Sequence, residues 1–178
     1  MIYFTSDQHY NHKNIIEYCS RPFKDVDDMN RSLIERHNAV VSKEDTVWHL
    51  GDFSLSEKVI PDILPQLNGK HYLVAGNHDG CFRKHKKHKK IAERYIEFGF
   101  LEVHQEIVLE GFLINHLPYL GECKEVKYGE YRPQNKGMWL LHGHIHNLWK
   151  VNGKMINVGV DVWDYSPVSI DTIRPLTT

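Results

Sequence analysis

The chain has 178 residues, with 22 Lys and Arg against 23 Asp and Glu and 41% hydrophobic side chains. This is the profile of a single globular domain over residues 1–178, and it excludes disordered and collagen-like chains. No apolar run approaches the roughly 20 residues of a membrane helix, and Met1-Ile2-Tyr3-Phe4-Thr5-Ser6-Asp7 has no basic start, so neither a membrane partner nor a signal peptide is expected.

Ile2-Tyr3-Phe4-Thr5-Ser6 is a short β-prone run that ends in Asp7-Gln8-His9. A helix is predicted from Lys13 to Cys19, broken by Arg21-Pro22-Phe23, and a second from an Asp27 N-cap to about Val41. Thr46 to Leu50 reads as a strand closed by Gly51-Asp52. Ser56 could cap a helix to about Leu67, delayed or kinked by Pro61. His71 to Ala75 is another strand, closed by Gly76-Asn77-His78-Asp79. Ile91 to Phe98 reads as helix with Gly99 as its stop. The rest reads as strands near 102–109, 112–116, 138–142, 148–151, 155–160 and 168–173. Alternating strands and helices followed by a run of strands suit an α/β or mixed α+β layered domain.

Cys19, Cys81 and Cys123 are odd in number and form no C-x-x-C pair, which argues for reduced thiols in the cytoplasm and against a zinc ribbon. Thirteen histidines are many for this length. Their positions are more telling than their number. Three times in the first 80 residues an apolar strand ends directly in metal-binding types: Asp7-x-His9, Gly51-Asp52 and Gly76-Asn77-His78-Asp79. Twice more a strand-like segment ends in histidine, at His116 and at His142-Gly143-His144-Ile145-His146. Ligands of such sheets bind beyond the carboxyl ends of the strands. Asp7, His9, Asp52, Asn77, His116, His144 and His146 are too many for one tetrahedral site. They suit two divalent ions about 3.5–4 Å apart with a shared carboxylate. Imidazole, carboxylate and amide oxygen favour manganese, iron, zinc or nickel, manganese being the expected choice in vitro. Such a pair activates water for in-line attack on a phosphate, and His78 is the histidine left over to assist the leaving oxygen.

These five motifs, in this order over positions 7 to 146, resemble those of the calcineurin-like metallophosphoesterases. The resemblance implies a four-layer α/β/β/α sandwich of two mixed sheets flanked by helices. It implies that Asp7, His9 and His146 hold one metal, that Asn77, His116 and His144 hold the other, and that Asp52 bridges them. His78 and Asp52 would be the catalytic residues, with a metal-bridging hydroxide as nucleophile. The length and the tail Asn157-Val158-Gly159-Val160-Asp161-Val162-Trp163 are similar to small bacterial and phage members. Gly51-Asp52 lacks the following D-R-G of the protein phosphatases, and Asp79 rather than Glu follows His78. A phosphodiester or small phosphorylated substrate such as a nucleotide is therefore expected, rather than a phosphoprotein. Two alternatives stand beside this one: a nucleic-acid-processing phosphoesterase and a metal-binding scaffold without turnover.

His49 and His142 lie inside apolar strand segments and read as structural. Asn11, His12 and Arg21 are candidates for substrate contact, Arg21 as a phosphate clamp. Asp161 offers a side chain to the site's mouth, while Trp163 reads as core. Arg83-Lys84-His85-Lys86-Lys87-His88-Lys89-Lys90 packs six full positive charges into eight residues. It reads either as a solvated face or as a rim that attracts an anionic substrate or nucleic acid.

Overall fold

Short runs of β-branched, aromatic and leucine side chains supply the strands, each too apolar to leave in water. In the computed structural model, which describes residues 1–121 and 127–177, they assemble into two mixed five-stranded sheets. β1 (Ile2–Thr5), β2 (Thr46–His49), β3 (Lys70–Val74) and β4 (Val103–His104) run parallel in the first, and β10 (Val168–Ser169) pairs antiparallel with β1 at its edge. The second has the order β5 (Ile107–Leu109), β6 (Phe112–Ile114), β7 (Trp139–His142), β9 (Met155–Asn157), β8 (Val151–Asn152), with β6, β7 and β9 parallel.

Alternation along the strands divides the core into layers. Phe4, Trp48 and Val74 of the first sheet meet Phe112, Ile114, Leu141 and Ile156 of the second. The opposite face of the first sheet is covered by α1 (Lys13–Tyr18), α2 (Val26–Val40), α3 (Ile60–Ile63) and α4 (His88–Glu97), through Ile15, Met29, Leu33, Ile60 and Tyr95. Tyr119, Leu140 and Met155 form a smaller cluster on the second sheet. The result is an α/β sandwich of two mixed sheets with helices. Trp163 packs against the cluster between the sheets, as expected.

Several element boundaries differ from expectation for local reasons. α2 starts at Val26 because Asp25, not Asp27, accepts the Asp28 amide as N-cap. The segment after Ser56 breaks into two 3₁₀ turns around the four residues of α3, since Pro61 and Pro65 remove amide donors. The run 102–109 is not one strand. It leaves the first sheet after His104 and enters the second at Ile107, and Gln105 pins the crossing by accepting from the Arg83 amide and donating to the Cys81 carbonyl. The 155–160 run ends at Asn157, whose amide bonds the carbonyls of His146 and Trp149. After Val168 and Ser169 the chain turns helical as α5 (Ile170–Ile173), with Ser169 as N-cap. α4 begins at His88, earlier than expected, and β8 covers only the tail of the run expected near 148–151. Cys19 and Cys81 are free and buried, and Cys123 lies outside the described residues. Among the described residues no helix is long and apolar enough to cross a membrane.

Candidate metal centre

The parallel strands β1, β2 and β3 end side by side, and the loops beyond them are tied together by backbone bonds. Asp7 N donates to Gly51 O at 3.0 Å, His9 N to Asp52 O at 3.0 Å and Tyr10 N to Phe53 O at 2.9 Å. The second sheet contributes the ends of β6 and β7, joined where Gly143 N donates to His116 O. Asp7 closes the two halves: its carboxylate accepts the His144 amide at 2.9 and 3.1 Å.

This convergence demands unusual backbone. Asp7, His9, Asp52, His144 and His146 all have positive φ, between 49° and 74°. Left-handed backbone costs a non-glycine residue roughly 1–2 kcal/mol, and such strain concentrates at functional sites. Two glycines permit the close approach. A Cβ on Gly143 would lie 2.0 Å from Ser6 Oγ and 2.4 Å from Asp7 Oδ2, and one on Gly76 would lie 2.3 Å from Asp52 Oδ1.

Two groups of ligand atoms result, Asp7–His9–His146 and Asp7–Asp52–His116, with atoms within 4.8 Å of one another in each. Asp52 Oδ2 is 3.6 Å from His9 Nε2 and 3.4 Å from His116 Nε2, so one oxygen faces a histidine of each group. Asn77 Oδ1 lies 3.0 Å from His116 Nε2, and the His144 and His116 rings meet edge to face at 5.3 Å. The seven expected ligands are thus brought together beyond the strand ends, with His9, His144 and His146 lining the cavity there and Asp7, Asp52, Asn77 and His116 buried. The His9 ring is buried, and neither of its nitrogens has a hydrogen-bond partner. A buried donor or acceptor left unmatched is costly, and a cation between His9, Asp7 and His146 would satisfy it. The donor set therefore fits a metal centre.

Outer partners fix the rings. His116 Nδ1 lies 2.7 Å from Leu50 O, so this nitrogen carries the hydrogen and Nε2 faces the cleft. His146 Nδ1 lies 3.4 Å from Asp161 Oδ2, which leaves its Nε2 to the cleft. Burial disfavours charge on both rings. Asp52 overrides it at His116, raising the pKa to about 9, and the Asp161 hydrogen bond overrides it at His146, raising it to about 11. Burial pushes His144 down to about 2 and Asp7 upward. Burial also opposes ionisation of Asp52, yet His116, His9 and His78 hold it well below the usual carboxylate range. Both rings are thus biased toward holding a proton beside a carboxylate, and a bound metal would compete with that proton.

His78 is the exposed member, with its amide held by Asp52 Oδ1 at 2.8 Å and its ring 5.5 Å from that of His9. His12 joins the same cavity. Asn11 does not line it. Its side chain faces Asn30 of α2, which donates to its Oδ1. The expectation for Arg21 also needs correction. Arg21 is buried, and all five of its N–H groups are engaged: two by the Asp161 carboxylate, two by the carbonyls of Asp7 and Gln8, and one by Met29 Sδ. It braces the first loop and Asp161 instead of clamping a phosphate. Asp161 is buried rather than at the mouth, and it orients His146.

Asp79 was legible only as the residue after His78. It is buried and accepts the amides of Asp52, Phe53 and Gly76, locking the second loop to the third. Burial and Asp52 raise its pKa to about 7. The signal was an acidic residue three positions after a strand-ending glycine, where turn amides need an acceptor. Of the basic tract, Lys84 reaches the site's frame. Its ammonium donates to Asn77 O and lies 5.0 Å from the centre of the Tyr128 ring.

Comparison with known proteins agrees with this geometry. The model of the calcineurin-like phosphoesterase superfamily domain matches residues 1–161. The chain is 36% identical to the uncharacterized protein MJ1445 of Methanocaldococcus jannaschii, over 98% of this chain and 90% of that protein. It is 30% identical to the Gene 66 protein of Mycobacterium phage L5, over 90% of this chain and 86% of that one. A solved structure, a protein of unknown function (AQ665) from Aquifex aeolicus, superposes with a TM-score of 0.72 at 26% identity, covering 99% and 98% of the two chains. The chain belongs to the calcineurin-like phosphoesterase superfamily, a family of phosphoester hydrolases that generally bind divalent metals.

Proposed function

We propose that the protein is a dinuclear metal-dependent phosphodiesterase. The observation that carries the reading is His9, a buried imidazole with both nitrogens unmatched, set between Asp7, Asp52 and His146. Asp7, His9 and His146 would hold one divalent cation and Asn77, His116 and His144 the other, with Asp52 touching both. Two such ions supply Lewis-acid neutralisation of the phosphate and activation of water.

The remaining work falls to the chain. Asp52, held ionised by His116 and tied through its amide to Asp79, fixes the spacing of the two halves. Leu50 O and Asp161 keep the rings of His116 and His146 turned to the cleft. As the water oxygen bonds to phosphorus and the ester P–O bond breaks, the leaving oxygen needs a proton. His78, exposed beside His9, is the group suited to deliver it.

Elemental analysis of the purified protein should give two equivalents of divalent metal per chain. With Mn²⁺, bis-(p-nitrophenyl) phosphate should be hydrolysed, and Asp52→Ala or His78→Ala should each lower kcat by at least ~10²-fold while the circular dichroism spectrum persists. Equal turnover before and after these changes would overturn the assignment.

A further inference from the structure

We propose that the groove running from the histidine cluster past Tyr18 and Leu148 binds an uncharged planar ring, of nucleobase size, carried by the substrate's ester. The inference rests on the phosphoesterase reading and goes further, by naming what the phosphate is attached to.

The groove is a cavity of about 790 Å³ that opens at one end on His9, His78, His144 and His146. That is within the usual range for small-molecule sites, roughly 300–1,000 Å³. Its other end is walled by Ile15, Tyr18, Leu148 and Trp149. Among the described residues no Lys, Arg, Asp or Glu lines it. Tyr18 is 69% exposed and Leu148 67% exposed, so two large apolar side chains stand in water at the edge of a catalytic cleft. The Tyr18 ring packs edge-on to His12 at 6.2 Å. The walls are joined, since Asn147 Nδ2 of the β7 loop donates to Cys19 O at the end of α1. The groove is thus formed before any ligand enters.

This chemistry selects the occupant. A substrate's anionic part belongs at the metal-binding end, and a neighbouring uncharged apolar wall matches an uncharged organic group. Aromatic faces at Tyr18 and Trp149 favour a planar ring, and the amides of Asn147 and Asn152 can meet the polar edge of a heterocycle. A nucleic-acid strand would bring a second phosphate into the groove, where no Lys or Arg among the described residues forms the wall. Of the tract's cations, Arg83 and Lys84 are directed to Tyr131 O and Asn77 O instead.

Two esters with the same leaving group test the proposal: thymidine 5′-(p-nitrophenyl phosphate) and methyl p-nitrophenyl phosphate, each with Mn²⁺. The thymidine ester should show a KM about 10-fold lower, as one stacked ring provides. Tyr18→Ala and Leu148→Ala should raise KM for the thymidine ester toward that of the methyl ester, while Tyr18→Phe retains the preference. Leu101→Ala, an exposed leucine outside the groove, should behave as wild type. Equal KM values in the wild type, or a preference that survives the Tyr18→Ala/Leu148→Ala double variant, would overturn the proposal.

Calorimetric titration of thymidine 5′-monophosphate against ribose 5-phosphate reads the groove independently of turnover. If neither ester is hydrolysed but the nucleotide still binds about 10-fold tighter, and loses that advantage in the double variant, the groove stands and the hydrolase reading fails. Equal binding of the two ligands, or tighter binding of a thymidine decamer that falls steeply with salt, would refute the single-ring occupant.

Discussion

Two groups of histidines, one beyond the ends of β1, β6 and β7 and one on β2, β3 and α2, do opposite things. His9, His116, His144 and His146 face Asp7 and Asp52 across a cleft. His37 of α2, His49 of β2 and His71 of β3 sit together beside the aromatic core, and their rings bond to the Gln8 amide, to each other and to the carbonyls of Asn68 and Leu67. In this second group the hydrogen bonds determine every proton. Gln8 Nε2 donates to His49 Nδ1 at 3.0 Å, His49 Nε2 donates to His71 Nδ1 at 3.1 Å, and His71 Nε2 donates to Leu67 O at 3.2 Å. All the rings are neutral, and burial lowers the pKa of each. A histidine becomes a ligand candidate when a carboxylate faces it and its own hydrogen bonds are left open, not because it is a histidine. Gln8 joins the two groups, since it lies between Asp7 and His9 and starts the buried chain.

The comparison breaks most severely on the metal side. Asp52→Ala should abolish Mn²⁺-dependent turnover by ~10²–10³-fold, whereas His71→Phe should leave kcat within about twofold. Next in size, Asp161→Asn leaves the buried Arg21 without its anion. It should cost about 3 kcal/mol in urea unfolding and weaken metal binding ~10–100-fold by loosening His146, measured by chelator competition. On the structural side, His71→Phe strands the His49 donor and should cost about 2 kcal/mol of stability.

The pH dependence sharpens the contrast. Burial holds folded His37 near a pKa of about 4, against 6.5 when unfolded. Its contribution is therefore complete above the unfolded value and is lost as pH falls from 6.5 toward 4. Between pH 7 and pH 5 the wild type should lose about 2 kcal/mol more than His37→Gln, read from urea midpoints. The smallest effect belongs to the basic tract. α4 starts at His88 with Lys89 and Lys90 in its first turn and no acidic residue there, so Lys89→Glu with Lys90→Glu should raise the urea midpoint slightly.

Much of this was legible in the order of residues. The ligands sit directly after apolar strands, and a strand end followed by glycine and an acid is a local pattern that survives folding unchanged. His49 and His142 were readable as structural for the same reason, being embedded in apolar runs. What was not legible was long-range. Arg21 looked available because its partner Asp161 is 140 positions away. The run 102–109 looked continuous because its apolar pattern does not record that one end belongs to each sheet. Asp25 and Asp27 are equally good caps by type, and only the geometry of the turn chose between them.

The bond from the His144 amide to the Asp7 carboxylate joins positions 137 apart in the chain. During synthesis Asp7 therefore leaves the ribosome 137 residues before the amide that its carboxylate accepts. The centre cannot be assembled by the first sheet alone, and Asp161, which orients the last histidine, arrives later still. Bound metal would therefore act as a late crosslink between the two sheets, resisting their separation much as a long-loop disulfide would in an oxidising compartment. Loss of metal would release the sheet–sheet seam before it released the helices.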